Sequence, residues 1–139
     1  MDNNYISNFF SLEKKIAVIT GAGGYLCSEI ARGLARSGCK LALLDLRLEK
    51  AEKVEKELNK EGYTNIISRK INVENKNEHI NVLNQIISEF GKVDILINGA
   101  GINSSKPFFD ISIKEWNSVL DSQLTGTFLA CQVFGAHMV

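Results

Sequence analysis

Short apolar runs alternate with helix-type patterns from Lys15 to the end of this 139-residue chain. Such alternation is typical of βαβ units, in which helices connect parallel strands and cover both faces of the sheet. The runs predict strands at residues 16–20, 40–46, 66–73 and 93–98. Right-handed connections place these strands in the order 3-2-1-4. We therefore expect an α/β protein with a doubly wound parallel sheet.

Apolar residues at helical spacing predict the helices after these strands. The capping-box pattern of Ser112 and Glu115 begins a long last helix, and Gly38, Gly62 and Gly91 are in position to end the first three. The expected buried faces are Leu26, Ile30 and Leu34; Ala51, Val54 and Leu58; Ile80, Leu83, Ile86, Ile87 and Phe90; and Trp116, Val119, Leu120, Leu124 and Phe128.

Composition argues against several classes of function. The chain has 16 basic and 16 acidic residues, so its net charge is zero and no overall basic surface favours nucleic acid or an anionic membrane. No apolar run is long enough to cross a bilayer and no export signal is recognised, so we expect a cytoplasmic protein. Cys27, Cys39 and Cys131 are widely spaced and predict reduced core thiols rather than a metal site. His79 is expected at the surface.

The segment from Thr20 to Leu26 is a glycine-rich turn between the first strand and the first helix. A dinucleotide pyrophosphate binds at such a junction, because glycines let it approach the free N–H groups of the helix. The general Gly-x-Gly-x-x-Gly spacing fails at Leu26, so an ordinary tight turn also explains the segment.

Two further elements favour dinucleotide binding. Asp45 lies at the end of the second strand, 24 residues beyond Gly21, where a carboxylate can accept hydrogen bonds from the adenosine ribose. The alternative is a surface aspartate. Asn98-Gly99-Ala100-Gly101 ends the fourth strand, and strands one and four flank the topological switch point. Both glycine segments are therefore expected to line one crevice, with NAD preferred over NADP at least tenfold because the carboxylate would repel a 2′-phosphate.

Three motifs resemble the short-chain dehydrogenase/reductase superfamily, from Leu12 onward. They are TGAGGYLC at 20–27, NGAG at 98–101 and LTGTF at 124–128, and their wording is most similar to members acting on sugar acids and polyols. The resemblance implies a Rossmann fold that binds NAD. The cofactor-binding positions it implies are Gly21, Gly24, Tyr25, Leu26, Asp45, Leu46, Asn72, Val73, Asn98, Ala100 and Gly101.

The chain departs from that pattern at several positions. Tyr25 and Cys27 occupy glycine slots of the turn, and Gly99 replaces an asparagine. Asn72 stands where an adenine-contacting aspartate is usual. Gln123 replaces the helix asparagine that helps to hold a water in the proton relay, so it is the one candidate catalytic residue in this chain.

The rest of the family's catalytic group has no counterpart in these 139 residues. The resemblance calls for a tyrosine general acid/base, a lysine four residues later and a serine that orients the carbonyl. The tyrosines here are followed four positions on by other residues: Tyr5 by Phe9, Tyr25 by Glu29, and Tyr63 by Ile67. We therefore expect one dinucleotide-binding domain over residues 1–139 that is incomplete after the long fifth helix and shows no turnover alone.

The first hypothesis is that the parent protein transfers a hydride between NAD(H) and a small secondary alcohol or carbonyl compound, as a homo-oligomer. The second is a non-catalytic nucleotide-binding or interaction protein. The third is that only the fold is retained. An open reading frame that continues into a Tyr-x-x-x-Lys motif would favour the first.

Overall fold

The computed structural model describes residues 11–139, so Tyr5 and the first ten residues of the predicted domain lie outside the described part. Four parallel strands form one sheet in the order β3-β2-β1-β4. The predicted doubly wound sheet and its strand order are confirmed. The strands are β1 (Ile16–Thr20), β2 (Lys40–Asp45), β3 (Ile66–Lys70) and β4 (Ile95–Asn98).

Helices connect the strands and continue the chain after the last one. They are α1 (Tyr25–Arg36), α2 (Leu48–Lys60), α3 (Lys76–Phe90), a short 3₁₀ turn (Phe108–Asp110), α4 (Ile113–Leu120), a π-helical turn (Asp121–Thr125) and α5 (Gly126–Met138). Gly38, Gly62 and Gly91 have φ of +90°, +99° and +88° just beyond α1, α2 and α3, as expected for residues that end helices. Among residues 11–139, none of the helices combines the length and apolar character needed to cross a bilayer.

The sheet has an apolar core on each face, which explains the continuous apolar strands. Successive β1 side chains alternate between the two cores: Ala17 and Ile19 pack on the side of α1 and α2, whereas Ile16 and Val18 pack on the side of α3 and α5. Register brings Thr20 beside both Leu44 and Asn98. The carboxyl ends of β1, β2 and β4 therefore meet at one edge.

Three predicted strand boundaries are wrong. β2 ends at Asp45, one residue early, and β4 begins at Ile95, two residues late. β3 ends at Lys70 rather than at residue 73. The Asn72 side chain accepts a hydrogen bond from the Glu74 N–H at 3.1 Å and turns the chain away from the sheet.

His79 is fully buried, so its predicted surface position is wrong. Its Nε2 lies 2.8 Å from the Val73 carbonyl oxygen and must donate, because a carbonyl can only accept. Its ring meets Phe134 of α5 edge to face at 6.0 Å. Because β3 ends at Lys70, the Val73 carbonyl has no partner in the sheet. A buried carbonyl needs a donor, and His79 supplies it from the interior.

The predicted buried face of the long helix is also wrong. Trp116, Leu120, Leu124 and Phe128 are exposed and Val119 is half-buried. The face against the core consists of Ser122, Gly126, Ala130, Val133 and Phe134. Glycine is needed at position 126 because a β-carbon there would lie 2.7 Å from Val73 Cγ2.

Two smaller corrections concern α1 and the thiols. α1 buries Cys27, Ala31 and Ala35, while predicted core residue Leu26 is exposed. The cysteines are free, with Cys27 and Cys39 buried as predicted, but Cys131 is exposed.

Asp94 joins the starts of two strands and should make stability depend on pH. Its Oδ2 accepts the Ile16 N–H at 3.0 Å, and its Oδ1 lies 2.8 Å from Lys92 Nζ. Burial raises the pKa of Asp94, but the hydrogen bonds from Lys92 and Ile16 and the charges of Lys92 and Lys15 outweigh it and hold the pKa below its ordinary value of 3.8. The stabilisation is therefore present above that value and is lost as pH falls through the lowered pKa.

We expect Asp94→Asn to lower the free energy of unfolding at pH 7 by about 1 kcal/mol, because it removes the charge but keeps an acceptor for Ile16. The deficit should be smaller at about pH 3, because the wild-type carboxyl becomes neutral as pH falls through its lowered pKa. Urea unfolding at both pH values measures it, with Asp110→Asn, an exposed carboxylate, as control. An equal deficit at both pH values would contradict the assignment.

Candidate functional site

The glycine-rich turn leaves the first turn of α1 open. Gly21 has φ +67°, and its carbonyl oxygen accepts the Gly24 N–H at 3.0 Å. The Ala22 N–H reaches the Leu44 carbonyl oxygen at 3.0 Å and ties the turn to β2. α1 then begins at Tyr25 with no side chain capping it. Its first N–H groups have no intrahelical partner, so this terminus is suited to an anion.

The turn is interlocked with the segment after β4. The Thr20 hydroxyl oxygen accepts the N–H groups of Gly99 and Ala100, each at 3.2 Å. A β-carbon on Gly21 would lie 2.7 Å from the Gly99 carbonyl oxygen and 2.9 Å from the Ala100 nitrogen. The two glycine segments therefore lie against each other, as the strand order predicted.

Asp45 holds the same turn from the β2 side. Its side chain is buried, so the alternative of a surface aspartate is wrong. Oδ2 accepts the Gly23 N–H and Oδ1 accepts the Arg47 N–H, both at 3.0 Å. A carboxylate oxygen can accept two hydrogen bonds, so each oxygen retains one acceptor position for a ligand.

A cleft of about 470 Å³ runs between these elements. It brings together most of the predicted cofactor positions: Gly21, Gly24, Asp45, Leu46, Asn72, Val73, Ala100 and Gly101. Gly99 also lines the cleft, as expected for the second glycine segment, and the lining includes further residues that were not predicted cofactor positions: Arg47, Ile71, Glu74, Ile102 and Ser122. Ile71 was missed because β3 was expected to continue through it to residue 73, and nothing in the sequence pattern marks Glu74, just beyond that predicted end.

Three predicted positions are not part of that lining. Tyr25 and Leu26 begin α1 with exposed side chains that do not line the cleft, and their backbone belongs to the open first turn of the helix. Asn98 lines a second cleft of about 360 Å³, which shares Gly99, Ala100 and Gly101 with the first. The shared segment, Gly99–Gly101, therefore forms the wall between the two clefts.

Gln123 lines the second cleft and holds Ile102 and Asn103, which form the rim of that cleft, by hydrogen bonds. Its Nε2 donates to the Ile102 carbonyl oxygen at 2.7 Å and to Asn103 Oδ1 at 3.0 Å. A β-carbon on Gly101 would lie 2.6 Å from Gln123 Cγ. The structure thus brings this candidate catalytic residue against the Gly101 backbone, with both of its amide hydrogens engaged.

The loop that continues from this rim, residues 102–111, also contacts α4. Ser112 Oγ accepts the Glu115 N–H at 3.2 Å, which confirms the first half of the capping box. The Glu115 carboxylate does not return to Ser112 and instead accepts from Ser104 Oγ at 2.6 Å and pairs with Lys106 at 3.0 Å. These two contacts hold the pKa of Glu115 below its ordinary value. The beginning of the loop is therefore held in a defined position.

Comparison with known proteins gives the same outline. The sequence model of the short chain dehydrogenases matches residues 15–139. An uncharacterized oxidoreductase of Haemophilus influenzae is 39% identical over 93% of this chain and 51% of its own length. The NADP-dependent mannitol dehydrogenase of Hypocrea jecorina is 36% identical (96% and 52%), and the 5-keto-D-gluconate 5-reductase of Escherichia coli is 32% identical (96% and 52%). The chain spans about half the length of these curated relatives.

Solved structures agree with the fold. A Haemophilus influenzae protein with the provisional name D-mannonate oxidoreductase, solved with bound NAD, superposes with a TM-score of 0.87 at 38% identity, over 96% of this chain and 54% of that one. A short chain dehydrogenase/reductase from Burkholderia phymatum in complex with NAD gives a TM-score of 0.85 at 28% identity, over 93% and 46%.

Proposed function

The chain belongs to the short chain dehydrogenase family, and from that membership we propose that it is the cofactor-binding part of an oxidoreductase that transfers a hydride between NAD(H) and a secondary alcohol or carbonyl group. The observation that carries the proposal is the cleft in which the open end of α1, the Asp45 carboxylate and the Gly99–Gly101 segment meet. NAD bound there supplies the hydride acceptor.

The residues present fit a dinucleotide. The pyrophosphate would lie on the backbone of residues 21–26, where Gly21 leaves no room for a β-carbon and the α1 N–H groups are free. The ribose hydroxyls would donate to Asp45. Leu46, Asn72 and Val73 would enclose the adenosine, as their position at the same end of the cleft supports.

The remaining part of the dinucleotide would extend along Asn98, Ala100 and Gly101 toward the second cleft. Gln123 would then lie near the reacting end. In this proposal it holds the Ile102–Asn103 rim through its amide and leaves proton transfer to groups that these 139 residues do not contain.

NAD rather than NADP is the proposed cofactor. Two structural relatives bind NAD, whereas the mannitol dehydrogenases are named as NADP-dependent. Asp45 and Glu74 both line the cleft and would oppose the extra charge of a 2′-phosphate. Arg47 is exposed at the same end, but it lies beside a carboxylate already held by two backbone N–H groups.

For the whole protein we propose a small alcohol or carbonyl substrate of the sugar-acid or polyol class. The names of the mannitol dehydrogenases, the 5-keto-D-gluconate 5-reductase and the provisional D-mannonate oxidoreductase support that class. We further propose a homo-oligomeric enzyme of the cytoplasm.

The direct test is binding without turnover. We expect the chain to bind NADH with at least tenfold higher affinity than NADPH, measured by fluorescence of the reduced nicotinamide, since about 1.4 kcal/mol suffices for that ratio. Supplied with NAD and sugar alcohols or sugar acids, it should not form NADH above background. Loss of a positioned general acid/base removes a factor of roughly a hundred to ten thousand in rate.

Failure to bind either nucleotide would overturn the proposed function and favour an interaction protein or a chain that retains only the fold. Rapid NADH formation would instead show that another group in this chain moves the proton.

A further inference from the structure

We propose that Cys27 and Gly99 are a matched pair that sets the spacing between the glycine-rich turn and the β4 segment, and that Cys27 is thereby a positioning residue for the cofactor. This inference rests on the proposed function. The two positions are departures from the family pattern. Cys27 stands where glycine is usual, and Gly99 stands where asparagine is usual.

With Cys27 in its observed rotamer, there is room for a side chain at position 27 but not at position 99. A β-carbon on Gly99 would lie 2.1 Å from Cys27 Sγ, far inside van der Waals contact. The same β-carbon would lie 3.8 Å from Cys27 Cβ, which is an ordinary distance. In the observed rotamer of Cys27, the sulfur atom is therefore the main obstacle to a side chain at Gly99, and adding one would force the buried thiol to rotate; 3.0 Å to the Thr20 carbonyl oxygen is a tight fit that a small shift can relieve.

The sulfur lies where its position affects both cofactor-binding segments. Cys27 belongs to the first turn of α1, whose N–H groups are free, and it is 6% exposed. Burial, and secondly the charge of Asp45, raise the pKa of its thiol, so the side chain packs as a neutral group. Gly99 in turn is held on Thr20 Oγ1 and covers Gly21 with its carbonyl oxygen. Movement of Gly99 would displace the wall that the two clefts share.

A double-mutant cycle tests the pair. We expect Gly99→Ala to weaken NADH binding at least tenfold and to lower the melting temperature. Cys27→Ala should also weaken binding, by roughly threefold, because the sulfur no longer fixes the spacing, but by less than Gly99→Ala, which adds an overlap. The double variant Cys27→Ala/Gly99→Ala should recover most of the loss, because removing the sulfur leaves the ordinary 3.8 Å contact between β-carbons and the 3.0 Å approach to the Thr20 carbonyl oxygen, which a small shift can relieve.

Cys39 provides the matched control, since it is equally buried in the same apolar core. Cys39→Ala/Gly99→Ala should bind no better than Gly99→Ala. Adenosine, which has no phosphate to place on the glycine-rich turn, should bind wild type and Gly99→Ala within threefold of each other at the Asp45 end of the cleft, as a general loss of structure would not allow.

Additive effects of the two substitutions, or equal rescue by Cys39→Ala, would overturn the proposal. If Gly99→Ala is found only in the insoluble fraction, return of the double variant to the soluble fraction supports the pair and its absence overturns it. If wild type binds no nucleotide, the proposed function fails separately, and the cycle of melting temperatures still decides whether the two residues are coupled.

Discussion

Gly21→Ala should destabilise the chain by about 3 kcal/mol and abolish measurable nucleotide binding. Two costs combine: a residue with a β-carbon is strained by roughly 1–2 kcal/mol at left-handed φ, and overpacking typically costs about 1–3 kcal/mol. Here φ is +67°, and the added carbon would lie 2.7 Å from the Gly99 carbonyl oxygen and 2.9 Å from Ala100 Cα. Because these are backbone atoms, no side-chain rotation relieves the contact.

Urea unfolding and NADH titration measure both effects. Gly33→Ala is the matched control, because Gly33 lies inside α1 with no atom within 4 Å of the added carbon. Alanine is the better helix former by about 1 kcal/mol, so this control should be neutral or stabilising. Similar losses in both variants would show that an added methyl group destabilises this part of the chain wherever it is placed, and that the Gly21 geometry is not the cause.

Asp45→Ser should reduce NAD affinity at least tenfold and narrow the ratio between NAD and NADP. A hydrogen bond to a charged group contributes about 1.5–3 kcal/mol, and serine lacks the reach and the charge to replace it. The variant should also be less stable, because the Gly23 and Arg47 N–H groups lose their acceptor. Titration with NADH and NADPH at a temperature well below the melting transition separates the two effects.

Two further variants identify the cause. Asp45→Asn keeps one acceptor oxygen without the charge, so it should retain more NAD affinity than serine while losing discrimination against NADP. Glu74→Ser removes the second carboxylate that lines the cleft and is expected to leave NAD affinity within threefold. An unchanged NAD to NADP ratio in all three variants would show that Asp45 does not face the ribose.

The sheet and the meeting of its glycine segments could be predicted because their signals are local. β1 and β2 are continuously apolar since both faces of the sheet are covered, and such runs are visible in the sequence. Once the strand order follows from handedness, the ends of β1 and β4 are expected to be neighbours, and the structure pairs Thr20 with Asn98. Asp45 and Gly21 could be assigned to one crevice for the same reason.

The remaining errors arise where a tertiary contact decides the outcome. Nothing local distinguishes Ile71 from a strand residue; the turn at Asn72 depends on its side chain and on the Glu78 carboxylate, which accepts the Asn72 N–H at 2.6 Å. His79 has the polarity of a surface residue, and only its hydrogen bond to the Val73 carbonyl and its packing on Phe134 make it an interior one. The matched contact of Cys27 with Gly99 joins positions 72 residues apart and has no sequence pattern of its own.

The π-helical turn at residues 121–125 bears on which changes in length this helix tolerates. A π turn contains about one residue more than an α turn, and Trp116, Leu120, Leu124 and Phe128 accordingly remain on one exposed side although they are spaced by four throughout. Deletion of Thr125 would remove that surplus and leave a regular helix whose two halves keep their directions. Deletion of Leu129, inside α5, would instead rotate the downstream residues by about 100° and turn Phe134 out of the core. The surplus residue therefore makes this turn the place in the helix where one codon can be lost without reorienting α5.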